Sequence, residues 1–159
     1  MRIPNIYGCL IILSLLATAG AAQSRAKTNP HHSLVRGGPA PMQKKVMGSV
    51  RDLVRNLAKR HIRVKWGGKV TQPFFSVRGQ ILKLKGVEIQ AFEYWSLQTA
   101  RKEGETVGGD GTNVGTTSIS WIAPPHFFRS GKLIVLYVGD QQSVLRLLED
   151  VLGGQFAGR

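Results

Sequence analysis

Few residues in this chain are able to do proton or metal chemistry. His126 sits in the run Pro124-Pro125-His126-Phe127-Phe128, where two prolines and two phenylalanines would hold an imidazole firmly in a cleft wall. A general base or a single metal ligand takes that form. Asp110, Glu88 and Glu93 are the carboxylates that folding can bring to it. A histidine satisfied by backbone at a turn has the same local sequence, so His126 and Asp110 stand as catalytic candidates and no more. The assembled patterns are missing: the chain has neither the G-x-S-x-G elbow nor the H-E-x-x-H zinc helix. His31-His32 is an adjacent pair with no third ligand nearby, which is the usual state of a solvated pair rather than of a metal site. The residues therefore call for no cofactor and no metal.

Charge is the more lopsided property. The chain holds 22 Lys+Arg against 9 Asp+Glu. From Arg25 to Lys85 there are 15 bases and one acid, Asp52, while from Gly86 to Arg159 there are 6 bases and 8 acids. A basic half joined to a slightly acidic one implies an anionic partner for the first half: an envelope polymer, lipid headgroups, a membrane surface or an acidic protein. The candidate contact residues are Lys44, Lys45, Arg51, Arg55, Lys59, Arg60, Arg63 and Lys65. Solubility alone would give the same excess, and a surface helix whose outer face happens to be basic would give the same stripe. Nucleic acid is the less suitable anion. Trp66, Phe74 and Phe75 would have to form a stacking platform, yet the phenylalanines follow Pro73 in what reads as core.

Gly108-Gly109-Asp110-Gly111-Thr112 resembles the GGDGT motif of diacylglycerol and nicotinamide-dinucleotide kinases, in which glycines admit phosphates and the aspartate works near a metal. Those enzymes set the motif between a buried strand and a helix. Here hydrophilic sequence precedes it and the β-favouring Thr116-Thr117-Ser118-Ile119 follows, so the segment reads as a turn that uses Asp and Gly for their backbone conformations.

The elements that would position these residues are organised around one unit, Gly131 to Gly154. Leu133 to Val138 is an unbroken apolar run, the pattern of a central strand covered on both faces or nearly so. Asp140 is placed as the N-cap of a helix whose stripe is Val144, Leu147, Leu148 and Val151, with Gly153-Gly154 as its stop. Upstream, Val46, Val50, Leu53, Val54 and Leu57 predict a first helix from about Val46 to His61. Ser49 and Asp52 form a capping pair if the helix begins there. Ile62, Val64 and Trp66 alternate into a strand ending at Gly67-Gly68. Gln80 to Leu84 and Val87 to Tyr94 form a hairpin about Lys85-Gly86, and broken alternation near Ala91-Phe92 predicts a bulge. Ser96 caps a short helix to about Glu103, with Leu97 and Ala100 inward. Thr116 to Ile122 and His126 to Arg129 are further strands. The expected fold is α+β, a two-layer sandwich with a mostly antiparallel sheet of about five or six strands and helices packed on it.

Ahead of this domain, Arg2, the apolar run Leu10 to Ala17 and Ala19-Gly20-Ala21 have the form of a secretory signal peptide. An uncleaved anchor is the alternative, although the run is shorter than the ~20 residues that span a bilayer. Cleavage would remove Arg2 and leave 21 bases against 9 acids, or +12. It would also remove Cys9, the only cysteine, and with it any disulfide or thiolate chemistry. Cys9 precedes the apolar run, so it is not placed for lipid modification. The expected organisation is a signal peptide over 1–22, a linker rich in proline and glycine over 23–43, and one domain over 44–159.

Several segments carry a resemblance: Gln72-Pro73-Phe74-Phe75, Gly79-Gln80-Ile81-Leu82, Gln90 to Tyr94, Gly115-Thr116, Trp121 to Phe128, Gly131 to Gly139, and Leu152 to Gly158. In these the chain resembles a family of small exported, sometimes lipid-anchored, bacterial proteins that share a W-[IV]-A-x-P-H-F…G-[KR]-L-I-V-L-Y-V-G…L-G-x-Q-F-A-G pattern. The resemblance implies export and a common fold and carries no activity, so no functional residue follows from it. The expected function is an exported, secreted or periplasmic binding domain with its basic half on an anionic partner. The alternative is a small hydrolase or metal-dependent enzyme around His126.

Overall fold

The computed structural model describes residues 46–158. The expected signal peptide and linker and the candidate residues Lys44 and Lys45 lie outside the described residues. Three helices, α1 (Val50–Lys59), α2 (Leu97–Glu105) and α3 (Gln142–Leu152), accompany a six-stranded sheet. Numbered along the chain, its strands are β1 (Val64–Val70), β2 (Gly79–Leu84), β3 (Val87–Glu93), β6 (Pro125–Ser130), β7 (Leu133–Val138) and β8 (Gln155–Gly158). Between α2 and β6, β4 (Asn113–Val114) and β5 (Thr117–Ser118) form a separate ribbon. The sheet order is β1-β2-β3-β7-β6-β8 and every pairing is antiparallel. This is the expected α+β sandwich.

The apolar run Leu133 to Val138 is β7, with β3 and β6 as neighbours. Its side chains alternate between two cores. Leu133, Val135 and Tyr137 join Leu53, Leu57, Val144, Leu148 and Val151 beneath α1 and α3. Ile134 and Leu136 join Phe75, Phe92, Ala100 and Phe127 on the other face, under α2 and the loops around it. That second cluster is held by edge-to-face aromatic contacts, Phe75 with Phe92 at 4.8 Å and Phe74 with Phe75 at 4.9 Å between ring centres. The phenol of Tyr94 in this core is pushed well above its ordinary value by burial first, and then by the Glu103 carboxylate beside it.

Coverage of both faces explains the expected bulge that is not there. Ala91 and Phe92 are both buried in an unbroken register, Ala91 toward α1 and Phe92 toward α2. The hairpin turn at Lys85-Gly86 is as expected, with positive φ at both positions as a two-residue turn requires. An irregularity lies two strands away, in β1. β1 does not end at Gly67-Gly68 but runs on to Val70, with the register slipping between Trp66↔Leu82 and Lys69↔Gln80. The Gln80 amide donates to the Gly67 and Gly68 carbonyls at 2.7 and 3.1 Å, which satisfies groups that the slip takes out of the ladder.

Helix ends show where sequence patterning was too generous. α1 starts at Val50, not Val46, with Ser49 Oγ accepting from the Asp52 N–H and donating to its carboxylate. Asp140 is not the cap of α3. That position belongs to Gln141, without a side-chain cap, because the Tyr137 hydroxyl accepts the Gln141 N–H at 3.2 Å and sets the chain one residue later. Ser96 caps α2 as expected, and Ala100 is buried, but Leu97 is exposed. Of the strand expected over Thr116 to Ile122 only Thr117–Ser118 pairs.

Candidate functional site

His126 is nearly enclosed, 4 % exposed, near the start of β6 with β7 on one side and β8 on the other. Its Nδ1 lies 2.7 Å from Gln155 Oε1, and its ring stacks on Tyr137 at 6.1 Å. Nε2 is buried and has no hydrogen-bond partner among the described residues. Neither a carboxylate nor a hydroxyl of the described residues is bonded to the ring.

Asp110 is on the other side of the sheet. Its carboxylate accepts from the Thr112 N–H and hydroxyl, forming a turn, and Gly111 packs against Pro125 and Phe127. Phe127 faces the α2 core, so His126, its neighbour in the strand, faces the α3 side. The turn reading of Gly108 to Thr112 therefore holds, and the expected meeting of His126 with Asp110 does not occur. Glu88 is engaged by Lys83 at 2.6 Å and Glu93 by the Val50 N–H at 2.9 Å. No group of three or more metal-ligating side chains forms among the described residues. Replacement tests this directly. His126→Phe, which keeps the ring on Tyr137 and removes the orphaned nitrogen, should shift stability by less than about 1.5 kcal/mol in thermal melts. It should also leave anion binding unchanged.

The basic residues have a different fate. The flank of α1 that carries Arg51, Val54 and Ala58, at i, i+3 and i+7, faces strand β1. Three hollows follow this seam and continue around the sheet end. The first, about 430 Å³, lies below the start of α1 and is walled by Arg51, Trp66, Lys69, Arg78 and Glu93 over a floor of Gln80 and Ala91. The second runs between α1 and β1 with Arg63 and Lys65 on its margin. The third shares Arg63 and Lys65 and adds Lys83 and Lys85 from the hairpin.

Acids do little to offset these cations. Lys65 is opposite Lys83, and Lys83 is opposite Glu88, so one glutamate serves a row with two lysines. Among the described residues Arg51, Lys59, Arg63, Lys65, Lys69, Arg78 and Lys85 form no ion pair. Arg55 pairs with Asp52 at 3.1 Å on an exposed helix surface, a contact worth at most about 1 kcal/mol. Arg60 is directed at the Asp150 carbonyl at 3.5 Å. Thus Arg51 lines the first hollow and Arg63 and Lys65 the second and third, whereas Arg55, Lys59 and Arg60 line none of them.

No protein-family model, curated protein or solved structure matches the chain. Geometry alone must rank the residues. It adds Lys69, Arg78, Lys83 and Lys85 to the basic set, and it separates the aromatics that a nucleic-acid stacking platform would need. Trp66 shares the α1 face with Leu82, whereas Phe75 is buried and Phe74 is packed in the opposite core. Arg78 lies in the connection before β2, and only the antiparallel return of the chain sets it beside Lys69 and Arg51. In sequence, the signal that could have found it is the alternation of Gln80 to Leu84, which puts Arg78 just ahead of that strand.

Proposed function

We propose that this is an exported, non-catalytic binding domain that holds an anionic component of the cell envelope on the α1–β1 margin of its sheet. One observation carries the reading: Arg51, Lys69 and Arg78 line the first hollow, and Arg63, Lys65 and Lys85 the other two, all without an ion-pair partner among the described residues. Solubility needs charge but does not need Arg51, Lys69 and Arg78 gathered about one hollow. The leader-like N-terminus and the resemblance to small exported proteins support delivery outside the cytoplasm, and the burial of His126 favours binding over hydrolysis.

Sedimentation with phosphatidylglycerol vesicles, and with an anionic envelope polymer, tests the proposal. Attachment should weaken about tenfold or more as salt is raised from low to above physiological strength, because screening shortens the reach of exposed charges. Attachment that ignores salt, or none at low salt, overturns it.

A further inference from the structure

We infer that the hollow below the start of α1 is a discrete site for an acidic saccharide, a sugar unit bearing a carboxylate or phosphate. This deepens the anion-binding reading and rests on it. Three cations, Arg51, Lys69 and Arg78, converge there from a helix, an edge strand and a loop, and its one carboxylate, Glu93, is engaged by the Val50 N–H. The start of α1 is itself satisfied by Ser49 and Glu93, so it is the side-chain cations that remain for a ligand.

The hollow, at about 430 Å³, falls within the range of small-ligand pockets, roughly 300–1,000 Å³. Its depth comes from Ala91, whose small side chain forms the floor beside Gln80. Trp66 stands in its wall with 53 % of its surface exposed, the one large aromatic among the lining residues. An indole face beside cations suits a ring with C–H groups on one side and an anionic substituent at its edge. A nucleobase would find less. The Gln80 Nε2 is already used on the Gly67, Gly68 and Ile81 carbonyls, leaving no amide N–H to pair with the acceptors of a base edge. Arginine and lysine donors, in contrast, suit hydroxyls and anionic oxygens.

The test is calorimetric titration of the domain with trigalacturonate and with glucose 6-phosphate, which separate carboxylate from phosphate. Maltotriose, inorganic phosphate and adenosine monophosphate serve as comparisons. At least one acidic sugar should bind about tenfold tighter than both maltotriose and inorganic phosphate. Trp66→Ala should remove most of that advantage while leaving inorganic phosphate unaffected. Lys69→Ala and Arg78→Ala should each weaken the acidic sugar by about three- to tenfold, and Arg101→Ala on α2 should not. Circular dichroism of each variant confirms folding, and Trp66→Phe is used if Trp66→Ala unfolds. Acidic sugars that bind no tighter than inorganic phosphate, tighter binding of adenosine monophosphate, or indifference to Trp66 overturns the inference. If the vesicles and polymer still bind in a salt-dependent way, only the saccharide site falls; if they do not bind either, the wider reading falls with it.

Discussion

Replacing Lys65, Lys69 and Arg78 together by glutamate should weaken attachment to anionic vesicles by more than about 100-fold at low salt, without lowering the melting temperature. A cation held near an anionic surface contributes about 1 kcal/mol, so losing three costs about 3 kcal/mol, and the repulsion of three carboxylates adds to that. Stability should hold because all three side chains are exposed and none forms an ion pair among the described residues. At Lys65 the change sets a carboxylate opposite Lys83, where two like charges now face each other across the β1–β2 pair. A small gain in stability is the expected sign. The control is Arg101→Glu, Lys102→Glu and Arg146→Glu, on exposed surfaces of α2 and α3, which changes net charge equally but leaves the seam intact. If the control loses attachment as fully as the seam variant, net charge and not placement is what matters, and the assignment of the α1–β1 margin is wrong.

The elements that gather this seam were legible in the sequence because each depends on local signals. Alternation marks β2 and β3, positive φ at Lys85-Gly86 makes their turn, and the stripe through Val50, Leu53 and Leu57 marks the face that α1 buries. Such signals say which residues form an element and little about its neighbours across the sheet. Ala91-Phe92 shows the cost. Two adjacent buried residues break alternation, and a bulge is the local explanation. The actual cause is non-local, since α1 covers one face at that point and the aromatic cluster of Phe75 covers the other. The slip in β1 was missed for the converse reason. Gly67-Gly68 has the composition of a strand end, and the donor that lets the strand continue, Gln80, lies on the partner strand.

The same distinction applies to the candidate chemistry. His126 occurs next to residues that suit a cleft and Asp110 in a glycine-rich turn, and their backbones are close, as the Gly158 N–H bonded to the Gly109 carbonyl and the pairing of Gly158 with His126 show. What separates them is strand parity. Phe127 faces the α2 core and His126 therefore faces away from the Asp110 turn. Among the cations, parity and register do the opposite. Lys69, Gln80 and Ala91 form one row across three strands, which places a residue read as lying beyond the end of a strand on the rim of a hollow.

The seam also depends on a contact far from it in sequence. Gly131→Ala should destabilise the domain by about 3 kcal/mol or more, lowering the melting temperature by about 10 °C or more for a domain of this size. Gly131 makes the β6–β7 turn at a φ of +57°, and an added Cβ would overlap the Met47 carbonyl oxygen. That neighbour is backbone, so no rotamer change relieves the overlap. Met47 accepts from the Lys132 N–H at 3.1 Å, fills the α1 core and leads directly into the Ser49 cap. Pushing it away would shift the start of α1, and with it Arg51 and the Val50 N–H that Glu93 holds. Gly86→Ala is the comparison that isolates the steric part. It has the same sign of φ, +82°, but nothing within 4 Å of the added carbon, so it should cost only about 1 kcal/mol and leave attachment unchanged. Equal losses at the two positions, in urea or thermal unfolding, would mean that backbone conformation alone sets the cost. The turn would then not be what holds the start of α1 over its hollow.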